Sequence, residues 1–277
     1  MLGKLIKHEF RATSRIMLPV MGALLALALL ANLSLRALTG DATDLTVLRM
    51  LFVLIVIFFA IGIVATAVMA VVIMVSRFYR NLLKDEGYLM FTLPVSVHEL
   101  IWSKLIVSLV WFLATGVLIS LVMMLTVMNL SETNLQMILV QFPSWSEIQR
   151  ILKEYGIQSQ VFTLVFQAIL AVFLSSVVTC LHFYAAMAMG HMFTKNKVLL
   201  SVVFFVGMSF VFNLMEMGYG MVGISISDPS RWETMGGVEG LRFLSTVTWH
   251  GILLSAVQGA VLYLATVLGL RKGLNLE

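Results

Sequence analysis

The side chains able to do chemistry are few in this sequence, and they gather at three places. The first is Asp85-Glu86-Gly87-Tyr88-Leu89-Met90-Phe91-Thr92-Leu93-Pro94-Val95-Ser96, a mix of acids, aromatics and Pro between two long apolar runs. The second is Glu216, in Asn213-Leu214-Met215-Glu216-Met217-Gly218, with Asn213 one turn away. The third is Glu9, set in the apolar stripe of a basic segment at the start of the chain. Catalysis is poorly served by this inventory. The histidines His8, His98, His182, His191 and His250 are scattered, and no metal-ligand spacing occurs. No G-x-x-x-x-G-K-[ST] run is present, so the chain has no P-loop of its own. Cys180 is the single cysteine, which rules out a disulfide within the chain. The residues suit contact and transport better than bond making.

Those residues are positioned by membrane helices. Of the 277 residues, 60% are hydrophobic and 12% charged, and the mean hydropathy is +1.01. A soluble domain is about 45–50% apolar and about 25% charged. A bilayer core needs about 20 apolar residues per helix. Six stretches meet this, over 16–35, 51–75, 105–130, 161–189, 198–221 and 247–270, and Glu216 is the one charged residue in them. In lipid a lone segment must satisfy its backbone internally, so the spans are expected to be helices. The expected fold is an all-α integral membrane protein, one transmembrane domain over 1–277. The first apolar run spans rather than forming a cleavable signal peptide.

Orientation follows from Lys and Arg. Twelve of the eighteen flank one side: Lys4, Lys7, Arg11 and Arg15, then Arg77, Arg80, Lys84 and Lys104, then Lys195 and Lys197, then Arg271 and Lys272. Arg36, Arg49, Arg150, Lys153, Arg231 and Arg242 lie on the other, with most of the acids. Both termini are therefore expected in the cytoplasm. The net charge of +4 fits loops held against anionic lipid, not nucleic acid.

Three connecting elements are legible. Residues 1–15 form an amphipathic interfacial helix, with Lys4, Lys7, His8, Arg11 and Arg15 on one face and Leu2, Leu5, Ile6 and Phe10 on the other. Glu9 breaks the apolar face, either reaching to water or pairing with a cation on another cytoplasmic element. In the cytoplasmic segment 77–104, Arg77, Arg80 and Lys84 share a helical face, Gly87 offers a stop, and Pro94 forces an extended stretch. Ser96 and Glu99 form a capping box opening the third span. The apolar Tyr88, Leu89, Met90, Phe91 and Leu93 call for a cover, either lipid or a partner. In the outer loop 131–160, Ser144 and Glu147 start a helix with the stripe Ile148, Ile151, Leu152 and Tyr155, and Gly156 ends it.

Acid-Gly, then Leu-Pro-Val-Ser, then Leu100 and Lys104 at the next span resembles the permease subunits of bacterial type-2 ABC exporters. Six spans and the basic N-terminus are similar too. The resemblance implies that Arg77, Arg80, Lys84, Asp85, Glu86, Gly87, Tyr88, Leu93, Pro94 and Ser96 form a coupling element docked on an ATPase. It implies two ATPase subunits per complex, holding the ATP and Mg, and a second permease chain, identical or paralogous. This chain would hold no cofactor and not be an enzyme. It would lie in the bacterial inner membrane and export an amphipathic or lipophilic cargo, such as a peptide, drug or lipid. The loop 190–197 would be a lesser contact, or a plain basic turn.

Two other classes stay open. An ion-coupled carrier or channel would use Glu216, which reads either as an interfacial carboxylate reaching water or as a gate contacting a cationic substrate. An intramembrane protease would use Ser209 in Gly207-Met208-Ser209-Phe210, but a rhomboid-type motif wants Gly where Phe210 stands, and the sequence shows no base for it. His182 and His250 read as hydrogen-bonding glue between helices.

Overall fold

In a computed structural model, the described residues are 1–39, 46–84, 87, 94–130, 145–193, 195–226 and 237–272. Every regular element among them is helical. They are α1 (Leu2–Thr39), α2 (Thr46–Phe78) with a π-helical turn (Tyr79–Leu83) at its end, α3 (Val97–Leu130), α4 (Trp145–Glu154), α5 (Gln158–Gly190), α6 (Lys197–Ile226) and α7 (Gly237–Lys272). Six helices are long and apolar enough to cross a membrane: Leu2–Leu38, Thr46–Leu83, Val97–Thr126, Gln158–Gly190, Lys197–Gly218 and Val238–Arg271. Over the described residues the chain is an all-helical membrane protein with six apolar helices of spanning length. Its lipid-suited surface is plain in α2, where Leu51, Leu54, Ile57, Phe58 and Ile61 are exposed. Water would penalise such a surface and hydrocarbon does not.

The helices run past the apolar stretches at both ends. The largest difference is at the N-terminus, where residues 2–15 are not a separate helix. One helix of 38 residues carries them straight into the first span, with Pro19 inside it. No glycine or capping residue marks a break at positions 15–16. Pro19 removes one i→i−4 bond, that to the Arg15 carbonyl, without ending the helix.

By compactness the chain divides into Met1–Ser76 with Ile106–Trp145, and Arg77–Leu105 with Ser146–Glu277. In the first unit, the N-terminal part of α1 is packed against protein. Phe10 stacks on Trp111 with centroids 5.1 Å apart, and Trp111 Nε1 donates to Thr13 Oγ1 at 2.8 Å. Met17, Ala70, Ile73, Val107 and Trp111 form the core around that contact, flanked by Ile6. A second core joins Leu24, Ala28 and Ala31 of α1 to Phe59 and Val122.

In the second unit, α5 packs along both α6 and α7. Glycines allow the closest approaches. A Cβ on Gly269 would stand 2.9 Å from the Ala188 Cβ, and one on Gly190 would collide with Ser201. Gln167 of α5 is fully buried and donates to the Ser245 carbonyl and hydroxyl of α7 at 2.9 and 3.0 Å. The short helix α4 ends as its sequence dictates. Gly156 has φ +63°, Gly156 N donates to Lys153 O, and Ile157 N donates to Leu152 O. This pair of bonds is the left-handed glycine cap. Ser144, the expected opening cap, lies outside the described residues.

Candidate functional site

The end of α2 builds one wall of the candidate coupling site. After Phe78 the helix widens into the π turn Tyr79–Leu83, then Lys84 turns extended at φ −108° and ψ −167°. The helix thus stops at Lys84, ahead of Gly87, whose N–H donates to Lys84 O at 2.7 Å. π turns are rare and gather at functional positions, because the wider turn shifts the faces of the helix relative to each other. Here Phe78, Leu82 and Leu83 face the core while Arg80 and Lys84 remain exposed and Arg77 is half-buried. Phe78 stacks on the fully buried Tyr184 of α5 with centroids 4.1 Å apart. The Lys84 ammonium sits 5.7 Å from the centre of the Tyr79 ring, within cation–π range.

The start of α3 is anchored separately, on α7. Ser96 and Glu99 make the expected reciprocal cap: Ser96 N donates to Glu99 Oε2 at 3.0 Å, and Glu99 N to Ser96 Oγ at 3.2 Å. Leu100, Ile101, Lys104 and Leu105 behind it are buried. His98 ties this start to the end of α7. Arg271 Nη2 meets His98 Nε2 at 3.0 Å, and His98 Nδ1 lies 2.6 Å from the Tyr263 hydroxyl. A guanidinium only donates, so Nε2 is the acceptor and Nδ1 carries the proton toward Tyr263. Pro94 and Ser96 are exposed. Asp85, Glu86, Tyr88 and Leu93, together with Leu89, Met90 and Phe91, lie outside the described residues.

The connection between α5 and α6 packs on the end of α2. The sequence offered it as a lesser contact or a plain basic turn; in the structure His191 is buried and its ring meets Tyr79 edge-on, 5.3 Å between centroids. His191 Nδ1 donates to Met187 O at 2.9 Å, which leaves Nε2 as the unprotonated nitrogen of the neutral ring. Burial holds its pKa below the ordinary imidazole value, with the nearby Lys197 charge adding to the effect and the Met187 bond opposing it. Asn196 takes the left-handed conformation at φ 55°, which turns the chain into α6. The links Tyr79–His191 and His98–Arg271 were invisible in the sequence because each joins residues a hundred or more positions apart.

Glu216 stands elsewhere. It lines a recess of about 420 Å³ between α5, α6 and α7, and its Oε1 accepts from Gln258 Nε2 at 3.2 Å. Asn213 does not join it: its amide donates to Ser209 O on its own helix at 2.7 Å. Glu9 is buried rather than reaching water.

The serine alternative acquires the base that the sequence did not reveal. Ser209 Oγ lies 3.2 Å from His182 Nε2. Its proton, however, goes to Phe205 O at 2.8 Å, and His182 Nε2 also faces that carbonyl at 3.2 Å. A carbonyl can only accept, so Nε2 carries a proton and the imidazole is donor, not base, in this arrangement. The pair is glue between α5 and α6. His250 bonds Thr246 O within its own helix. Among the described residues no three of His, Cys, Asp or Glu gather as a metal site. Comparison with protein-family models, with curated proteins and with solved structures finds no match to this chain.

Proposed function

We propose that the chain is the membrane-spanning subunit of an ATP-driven exporter, similar to the permeases of type-2 ABC exporters, with both termini in the cytoplasm of a bacterium. One observation carries the reading. Both described ends of the segment after α2 are anchored: its π turn packs on α5 and the α5–α6 connection through Phe78–Tyr184 and Tyr79–His191, and the reciprocal cap that opens α3 is tied to α7 through His98. A loop that merely joins two spans has no need of such support. An element that receives a push does, because force applied to it must reach the spans without being lost in local bending.

In this proposal two ATPase subunits, which hold the ATP and Mg, dock on the exposed Arg80 and Lys84 and on the segment up to Ser96. A second permease chain completes the pathway. ATPase closure drives the 77–104 element against α3 and α5, and an amphipathic or lipophilic cargo leaves outward. The exposed guanidinium and ammonium groups favour an acidic partner surface.

The test is a mild-detergent pull-down of the tagged chain, with mass identification of what accompanies it and an ATPase assay. A stoichiometric P-loop protein is expected. Pro94→Ala and Glu86→Lys should lower the transport-coupled fraction of ATP hydrolysis at least tenfold without loss of membrane insertion. Normal coupled transport in both variants, or a clean pull-down, would overturn the assignment and favour an ion-coupled carrier.

A further inference from the structure

We infer that Glu216 is the anchor of a binding site for a lipophilic ammonium ion, at the membrane boundary opposite Lys197. Apart from Lys197, Glu216 is the one charged residue of α6. At 1.5 Å rise per residue it lies about 28 Å along the helix from Lys197. A hydrocarbon core is about 30 Å thick. With Lys197 at one boundary, the carboxylate is therefore at the other, where the ammonium head of an amphipathic amine also rests.

The recess is chemically one-sided. Val172 and Ile252 give it apolar walls, and Ser175 and Thr248 give it hydroxyls. Ser175 Oγ donates its proton to Val172 O at 3.0 Å, and Thr248 Oγ1 donates to Leu244 O at 2.8 Å. Both hydroxyls therefore present only lone pairs to the recess. Glu216 adds a carboxylate, steadied by the buried Gln258 amide. No cation lines the recess among the described residues. A pocket with a negative charge, hydrogen-bond acceptors and apolar walls selects a ligand with a positive charge, N–H donors and an apolar body. Its volume of about 420 Å³ falls within the range of about 300–1,000 Å³ usual for small-molecule sites. The same ammonium chemistry is offered by a free alkylamine and by a phosphatidylethanolamine headgroup. The site does not rest on the ATPase reading, since binding is read without nucleotide.

The experiment is equilibrium binding of labelled dodecylammonium to the full chain in phosphatidylcholine nanodiscs, whose lipid headgroups carry no N–H. Saturable binding is expected, weakened at least tenfold in Glu216→Gln and retained in Asn213→Ala, whose amide bonds its own helix. Dodecanol should compete at least tenfold less well. Repeating the measurement in phosphatidylethanolamine discs distinguishes the sources: competition by the lipid identifies a headgroup as occupant, and unchanged binding identifies a free amine. Equal binding by a Glu216→Gln protein of unchanged melting temperature would overturn the inference. So would equal competition by dodecanol, or the absence of saturable binding in the unaltered chain.

Discussion

His191 is a titratable group held neutral in a basic connection, and this makes its neighbourhood sensitive to acid. Its folded pKa lies below the ordinary 6.5, so its contribution to stability is fully present above that value. It is lost as pH falls from about 6.5 through the lower folded value, because protonation then favours the open form. Hydrogen exchange in residues 187–200 should therefore quicken on acidification through this window, and His191→Gln should flatten the response. Gly190 beside it is a steric requirement. An added Cβ meets the Ser201 backbone as well as its hydroxyl, so a side-chain rotation cannot relieve it. Gly190→Ala should destabilise by about 1–3 kcal/mol. Gly22→Ala is the control of opposite sign. It has open space around the new methyl and should gain up to about 1 kcal/mol from helix propensity. Thermal melts in one detergent compare the two.

At the scale of elements, the Ser96–Glu99 box sets where α3 begins, directly behind the segment proposed to receive the push. Ser96→Ala removes one leg of the reciprocal cap and should cost about 0.5–2 kcal/mol. Hydrogen exchange over residues 97–104 should rise several-fold, with the other spans unchanged. This box, the Gly156 cap and the six spans were all legible in the sequence, since each depends on neighbours within a few positions or on a run of apolar residues. The merging of residues 2–15 into α1 was not legible. An amphipathic segment reads the same whether its apolar face meets lipid or Trp111. The partners of His182, Gln167 and His191 were not legible for a related reason. Which face a helix turns to its neighbour is set by packing between distant residues, here by Gly190, Gly269 and Ala188, and a uniformly apolar helix records that choice weakly.

For the whole molecule, the proposal requires that the basic connections lie on the ATPase side, and the charge distribution fixes the expectation. The sides carry twelve and six of the Lys and Arg residues, and the richer one holds only short segments, where the bias orients helices most strongly. Cys180 makes the test clean, because it is fully buried and should be silent to a thiol reagent. Lys7, Glu154 and Lys195 are exposed, so each accepts a cysteine without disturbing a core. In intact cells a membrane-impermeant maleimide should label Glu154→Cys, while Lys7→Cys and Lys195→Cys should react only after permeabilisation. The reverse pattern would turn Tyr79, His191 and the Ser96 cap to the outside, where no cytoplasmic ATPase reaches them. It would also move the Glu216 recess to the cytoplasmic half of the membrane. Amine binding would survive that result, whereas ATP coupling through residues 77–104 would not, so this single labelling pattern separates the two proposals.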